Sequence, residues 1–223
     1  MSRRRCLKER RKTNEQFFIS CEGECEKFYF EHLQKLINTC EKRKANCKIY
    51  AKKKQPKDLV LGFGLAKLDL PFMSARDIED NSPYHVKLFH EYLDEIKYCT
   101  TVLKAKTFIA GYSNFAFELW IILHRKVFDF QILDRTKYLS HINSSFGFSF
   151  STMDEYKKED NFKSLLETIS LEDVKKAIEN ARSSRKTKKS ACKIVKYSDF
   201  EYDSVDPATN IDSLVSFILD KCL

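Results

Sequence analysis

Apolar residues change period repeatedly along this chain, and the changes mark its elements. Gln16 to Cys21 is a short β-prone run closed by Glu22-Gly23, which reads as a buried strand. From Glu24 to Cys40, Phe28, Phe30, Leu33, Leu36 and Ile37 recur at mostly helical intervals between charges, so a helix follows directly. Cys47 to Ala51 predicts a second strand leading into Lys52-Lys53-Lys54, and Asp58 to Leu68 a helix despite Gly62 and Gly64. Leu70 to Arg76 predicts a third strand, ending at Asp77-Ile78-Glu79-Asp80. Pro83 suits the first turn of a helix whose apolar face is Val86, Phe89, Tyr92, Leu93 and Ile96.

Thr107 to Tyr112 predicts a fourth strand, with Ser113-Asn114 as the cap of an apolar helix from Phe115 to His124. Strands alternating with helices predict an α/β fold, a mainly parallel sheet flanked by helices. Residues 126 to 160 are aromatic and Ser-rich without a clean period. Beyond them, Leu171 to Arg182 and Ile211 to Cys222 predict helices, separated by a basic loop from Ser183 to Lys189 and a turn at Asp206-Pro207. The expected division is a basic arm over 1–14, an α/β core over 15–125 and a mostly helical C-terminal extension over 126–223 packed on that core.

Charge adds a class of partner. Forty Lys and Arg against 32 Asp and Glu give a net charge of +8, which favours a polyanion. Residues 2 to 12 alone carry seven Lys or Arg, Arg3, Arg4 and Arg5 among them. That run is either a solvated terminus or a contact to RNA or DNA. Lys52, Lys53, Lys54, Arg185 and Lys188 are further candidates for phosphate contact, if they converge. No stretch approaches the roughly 20 apolar residues that span a bilayer, and no signal-type apolar core follows the basic start. The expectation is a cytoplasmic protein with no membrane partner. Its eight cysteines lack C-x2-C or finger spacing and read as reduced thiols.

Carboxylates at strand ends carry the candidate chemistry. In an open parallel sheet, ligands bind beyond the carboxyl ends of the strands. Glu22 and the cluster Asp77, Glu79 and Asp80 both fall there, and they meet in one crevice if their strands are neighbours. Carboxylates so placed repel unless a cation neutralises them, and Mg²⁺ or Mn²⁺ suits an all-oxygen donor set that leaves room for phosphate. Gly23 lets the backbone approach such a group closely. Helix capping is the competing use of these acids. Asn114 would expose first-turn N–H groups to an anion, with Glu118 on the same helix face and His124 available as an acid or base.

The run RRRCLKERRK followed by FFISCEGECEKFYF resembles the start of RloB-type proteins, and SNFAFELWIILH is similar to that family's S-N-P-x-F-E-x-W-x-x-x-H segment. Asp206-Pro207-Ala208-Thr209-Asn210 resembles the turn before its last helix. The resemblance implies a topoisomerase/primase (Toprim), Rossmann-like sheet with a helical C-terminal appendage and a place in bacterial defence against phage. It implies a metal-dependent nuclease in which Glu22, Asp77 and Glu79 serve as catalytic metal ligands and Asp80 assists. Gly23, Ser113 and Asn114 would then lie against phosphate. Two positions depart from the pattern: Glu79 stands where aspartate is expected, and Phe115 where proline is. No G-x-x-x-x-G-K-[ST] loop is present, so a separate ATPase subunit is the implied partner, and a homo-oligomer is compatible with it. The alternative is a non-catalytic nucleic-acid-binding or regulatory partner of that ATPase.

Overall fold

The computed structural model describes residues 12–127, 137–187, 193–204 and 208–223. Arg3, Arg4, Arg5, Lys188 and the Asp206-Pro207 turn lie outside them. The chain opens with strand β1 (Thr13–Cys21) and helix α1 (Glu24–Thr39), then β2 (Ala45–Lys53), α2 (Pro56–Phe63), β3 (Pro71–Asp77), α3 (Pro83–Thr101) and β4 (Thr107–Asn114). There follow α4 (Glu118–Leu123), α5 (Lys137–Phe146), α6 (Met153–Lys157), α7 (Glu159–Glu167) and α8 (Leu171–Thr187). The hairpin β5 (Ile194–Tyr197) and β6 (Phe200–Asp203), the two-residue β7 (Ala208–Thr209) and α9 (Ile211–Cys222) complete the chain.

The main sheet runs β2-β1-β3-β4-β7, parallel except for β7. Strand order reverses between β1 and β3, which pair from Phe18↔Phe72 to Cys21↔Ala75. A crevice therefore opens beyond their carboxyl ends. The alternation of β1 places Phe17, Ile19 and Cys21 in a core with α1, α4, α8 and α9, while Phe18 packs with Phe72 and α2 on the opposite face. The expected α/β sheet with flanking helices is what the chain forms.

Several boundaries differ from expectation for local reasons. The helix expected over 58–68 stops at Phe63 because Gly64 takes φ +79°, and a 3₁₀ turn (Leu65–Lys67) follows. Ser113 and Asn114 do not cap a helix; they end β4, fully buried, and α4 begins only at Glu118. The peptide bond between Asn114 and Phe115 is cis. Residues 183–187 are not loop but the last turns of α8, where Arg185 is tied to Asp212 by two hydrogen bonds of 2.7 and 2.6 Å. Among the described residues no helix is long and apolar enough to cross a membrane.

Candidate functional site

Glu22 follows β1 directly, and Asp77 is the last residue of the neighbouring β3. The Glu22 carboxylate accepts a 2.8 Å hydrogen bond from the Asp77 backbone N–H, so the two strand ends are locked together at the switch point. Behind Glu22 the chain turns at once into α1. Glu26, at the third position of that helix, reaches back to accept the Gly23 N–H at 3.0 Å, satisfying a donor the helix cannot use. Gly23 has extended backbone angles that any residue adopts, and what crowds it is the end of the Glu26 side chain. A Cβ there would lie 2.8 Å from Glu26 Oε2.

These acids share a cavity of about 280 Å³ whose walls include Glu22, Glu26, Asp77, Glu79, Glu118 and Lys157. Glu118 enters from the first turn of α4, buried, and pairs with Lys157 of α6 at 3.1 Å. Burial pushes the Glu26 carboxyl up to about 7, and the charges of Glu118 and Glu22 add to the effect. Burial opposes the charge of Lys157, but Glu118 outweighs it and raises the ammonium's pKa. Cys25, on the same wall, is held as the neutral thiol: burial, with Glu118 next, pushes its pKa up to about 12.

The other expected residues are distributed differently. Glu79, at φ +62°, lines the cavity but directs its carboxylate to His85 Nε2 at 3.2 Å. Asp80 faces His85 Nδ1 at 2.8 Å and accepts the Ser82 N–H, and Ser82, then His85, hold its carboxyl down at about 2. Asn114 is buried with its amide on the Asp203 carbonyl, and Ser113 shares a hydrogen bond with Thr209. Neither presents a free helix N-terminus to an anion. His124 is not an acid or base near neutral pH: it is buried, bonded to Tyr29 and the Trp120 carbonyl, and burial lowers it to about 4. Arg185 is committed to Asp212, whereas Lys52 and Lys53 sit exposed at the end of β2 with Lys54 just beyond.

Glu26 and Lys157 were not legible as site residues. Glu26 did carry a signal, a carboxylate three positions after a helix-capping glycine. Lys157 carried none, because nothing in the sequence brings residue 157 to residue 118.

Donor chemistry in the cavity fits a hard divalent cation: the wall groups are carboxylates, and the raised pKa of Glu26 records the burial and repulsion that a cation would relieve. Their disposition is open, however. Among the described residues no three His, Cys, Asp or Glu side chains stand ready to hold one ion together.

The chain is an open, mostly parallel α/β sheet with a carboxylate-lined crevice at its switch point, the place where such sheets bind ligands. The chain belongs to the RloB-like protein family, whose model matches residues 17–218. No curated protein and no solved structure matches it.

Proposed function

We propose that this RloB-like chain is a Mg²⁺- or Mn²⁺-dependent phosphodiesterase acting on RNA or DNA, working with a separate ATPase subunit in defence against phage. The observation that carries the reading is the junction of β1 and β3, where Glu22 accepts the Asp77 N–H within an acid-lined cavity. Glu22 and Asp77 would hold the ion, with Glu26 and Glu118 as further donors on the same cavity wall. A bound divalent cation supplies charge neutralisation on the phosphate and an acidified water. Glu26, near neutral pH, can carry a proton in this cleft, and Lys157 places the one fixed positive charge among the described residues on its wall. Glu79 and Asp80 orient the loop after β3 through His85.

The direct test combines cleavage with melting. Labelled RNA and DNA are incubated with Mn²⁺, and wild type, Glu22→Gln and Asp77→Asn are melted in EDTA and in millimolar Mn²⁺. Wild type is expected to cleave, and to gain about 2.7 kcal/mol at a hundredfold excess of ion over Kd. Both variants are expected to lose cleavage and the metal gain, and to melt no lower than wild type in EDTA, because each removes a repelling charge. The open disposition of the acids favours one rival, a non-catalytic nucleic-acid-binding subunit. Absence of any metal gain in wild type, with both variants melting lower in EDTA, decides for that rival.

A further inference from the structure

Glu22 is a wall between two clefts of opposite character. On its far side from the acidic cavity lies a second cleft of about 390 Å³, lined by Ser20, Lys53, Lys54, Gln55 and Arg76 as well as Glu22. Arg76, the penultimate residue of β3, is held in place from three directions. Its Nη1–H donates to Gln55 Oε1 at 3.2 Å, its guanidinium lies 5.3 Å from the centre of the Tyr92 ring, and its Nε is 3.9 Å from Glu22. Tyr92 is itself fixed, buried and hydrogen-bonded to Ser74. Lys53 and Lys54 are exposed and make no ion pair among the described residues.

We propose that this basic cleft is a phosphate subsite, which grips a phosphate of the nucleic-acid strand whose neighbouring bond lies over the acidic cavity. The inference rests on the reading above for what lies next door, although phosphate binding itself does not require hydrolysis. Three cations face two carboxylates here, Glu22 and Asp58, whereas the acidic cavity sets Lys157 alone against its carboxylates. A strand crossing Glu22 therefore finds attraction on one side only, over the β2 end of the sheet. Arg76 suits the anchor role. Its planar fork matches two phosphate oxygens, its ring contact and Gln55 bond pre-orient it, and a 3.9 Å approach to Glu22 is little to give up. The phosphate is either an internal phosphodiester or a terminal 5′-phosphate, and both present the same oxygens.

Binding of a 3′-labelled 12-nucleotide single strand, with a 5′-hydroxyl or a 5′-phosphate, is measured by fluorescence anisotropy in EDTA over a salt series. Arg76→Gln is expected to weaken binding about tenfold. Removing one phosphate-binding cation is expected to flatten the salt slope by about 0.7 on a single strand. The exposed pair Lys53→Gln/Lys54→Gln follows the same direction, and Arg76→Lys, which keeps charge without the fork, falls between. Equal loss on both strands assigns an internal phosphate; loss confined to the phosphorylated strand assigns a terminal one. Unchanged binding in Arg76→Gln and in the lysine pair overturns the subsite, and so does an equal loss from Lys176→Gln on α8. If the variants lose binding while wild type fails to cleave with Mn²⁺, the subsite stands and the nuclease reading falls. Cleavage by wild type with unaltered variant binding is the reverse.

Discussion

The ring of His124 shows how burial decides the role of a titratable residue. Its Nδ1 lies 2.9 Å from the Trp120 carbonyl, which can only accept, so Nδ1 carries the proton and Nε2 receives the Tyr29 hydroxyl at 3.2 Å. The neutral ring is fully partnered, and burial lowers its pKa from 6.5 to about 4. A base whose folded pKa lies below its unfolded one binds fewer protons when folded, so it costs stability as pH falls from about 6.5 toward 4. The full loss is on the order of 3 kcal/mol. His124→Phe keeps a planar ring, somewhat larger than imidazole, leaves the Tyr29 hydroxyl without its partner at a cost of about 1–3 kcal/mol, and removes the titration. Urea unfolding at pH 7 and pH 4.5 is expected to show the two chains converging at the lower pH; a constant gap removes His124 as the source. The neighbouring acids were legible for a different reason. Glu22 and Asp77 terminate apolar runs, and a strand end is visible in composition. The partner that turns Glu79 aside, His85, belongs to a helix start, and its reach to 3.2 Å is a fact of three dimensions.

Elements were readable where polarity changes and unreadable where it does not. The ends of β1 and β3 sit at charges, but β4 passes into α4 through Ser113, Asn114, Phe115, Ala116 and Phe117, a stretch in which Ser113 and Asn114 are as buried as Ala116 and Phe117. Nothing in that pattern separates a strand end from a helix start. The last turns of α8 were hidden by the opposite fault, since their basic residues look like loop until Asp212 of α9 is brought beside Arg185. The β5–β6 hairpin has strands of four residues each, β5 with no buried residue and β6 buried only at Tyr202 and Asp203, and leaves almost no periodic trace. Packing of α9 on β4 has its own sequence mark in Gly111. A Cβ there would stand 2.8 Å from Leu214 Cδ1 and 2.9 Å from the Ser74 carbonyl oxygen, and the backbone oxygen cannot yield. Gly111→Ala is expected to cost about 1–3 kcal/mol. That corresponds to roughly 2–4 °C of melting temperature per kcal/mol in a chain this long. Adding Leu214→Ala relieves only one of the two clashes, so the double variant is expected to cost less than the sum of the single ones. Strict additivity in thermal melts would place the strain elsewhere.

For the molecule as a whole, the question is whether residues 15–125 are a domain that the remainder merely decorates. The principal core runs without interruption from Phe17 of β1 to Cys222 of α9. Ile211, Leu214, Val215 and Ile218 are fully buried, and α9 packs on β1, β2 and β4. The sheet is completed by β7, and the Arg185–Asp212 pair joins α8 to α9. Cutting after residue 125 exposes the sheet face that α9 covers. Four buried aliphatic side chains at about 1.5–3 kcal/mol each contribute about 6–12 kcal/mol, comparable with the whole of a typical margin of about 5–15 kcal/mol. The fragment 15–125 is therefore expected to be unfolded or molten, with weak near-ultraviolet circular dichroism. The intact chain is expected to unfold in one transition that coincides by far-ultraviolet dichroism and by fluorescence of Trp120, the single tryptophan, which is buried in that core. A cooperative melt of the isolated fragment, or two separate transitions in the intact chain, would restore the boundary at 125. One core carrying both the strand-end acids and α6, which supplies Lys157, also means that loss of the C-terminal half removes a wall of the acidic cleft, so the fragment is expected to show no metal-dependent stabilisation even where it retains Glu22 and Asp77.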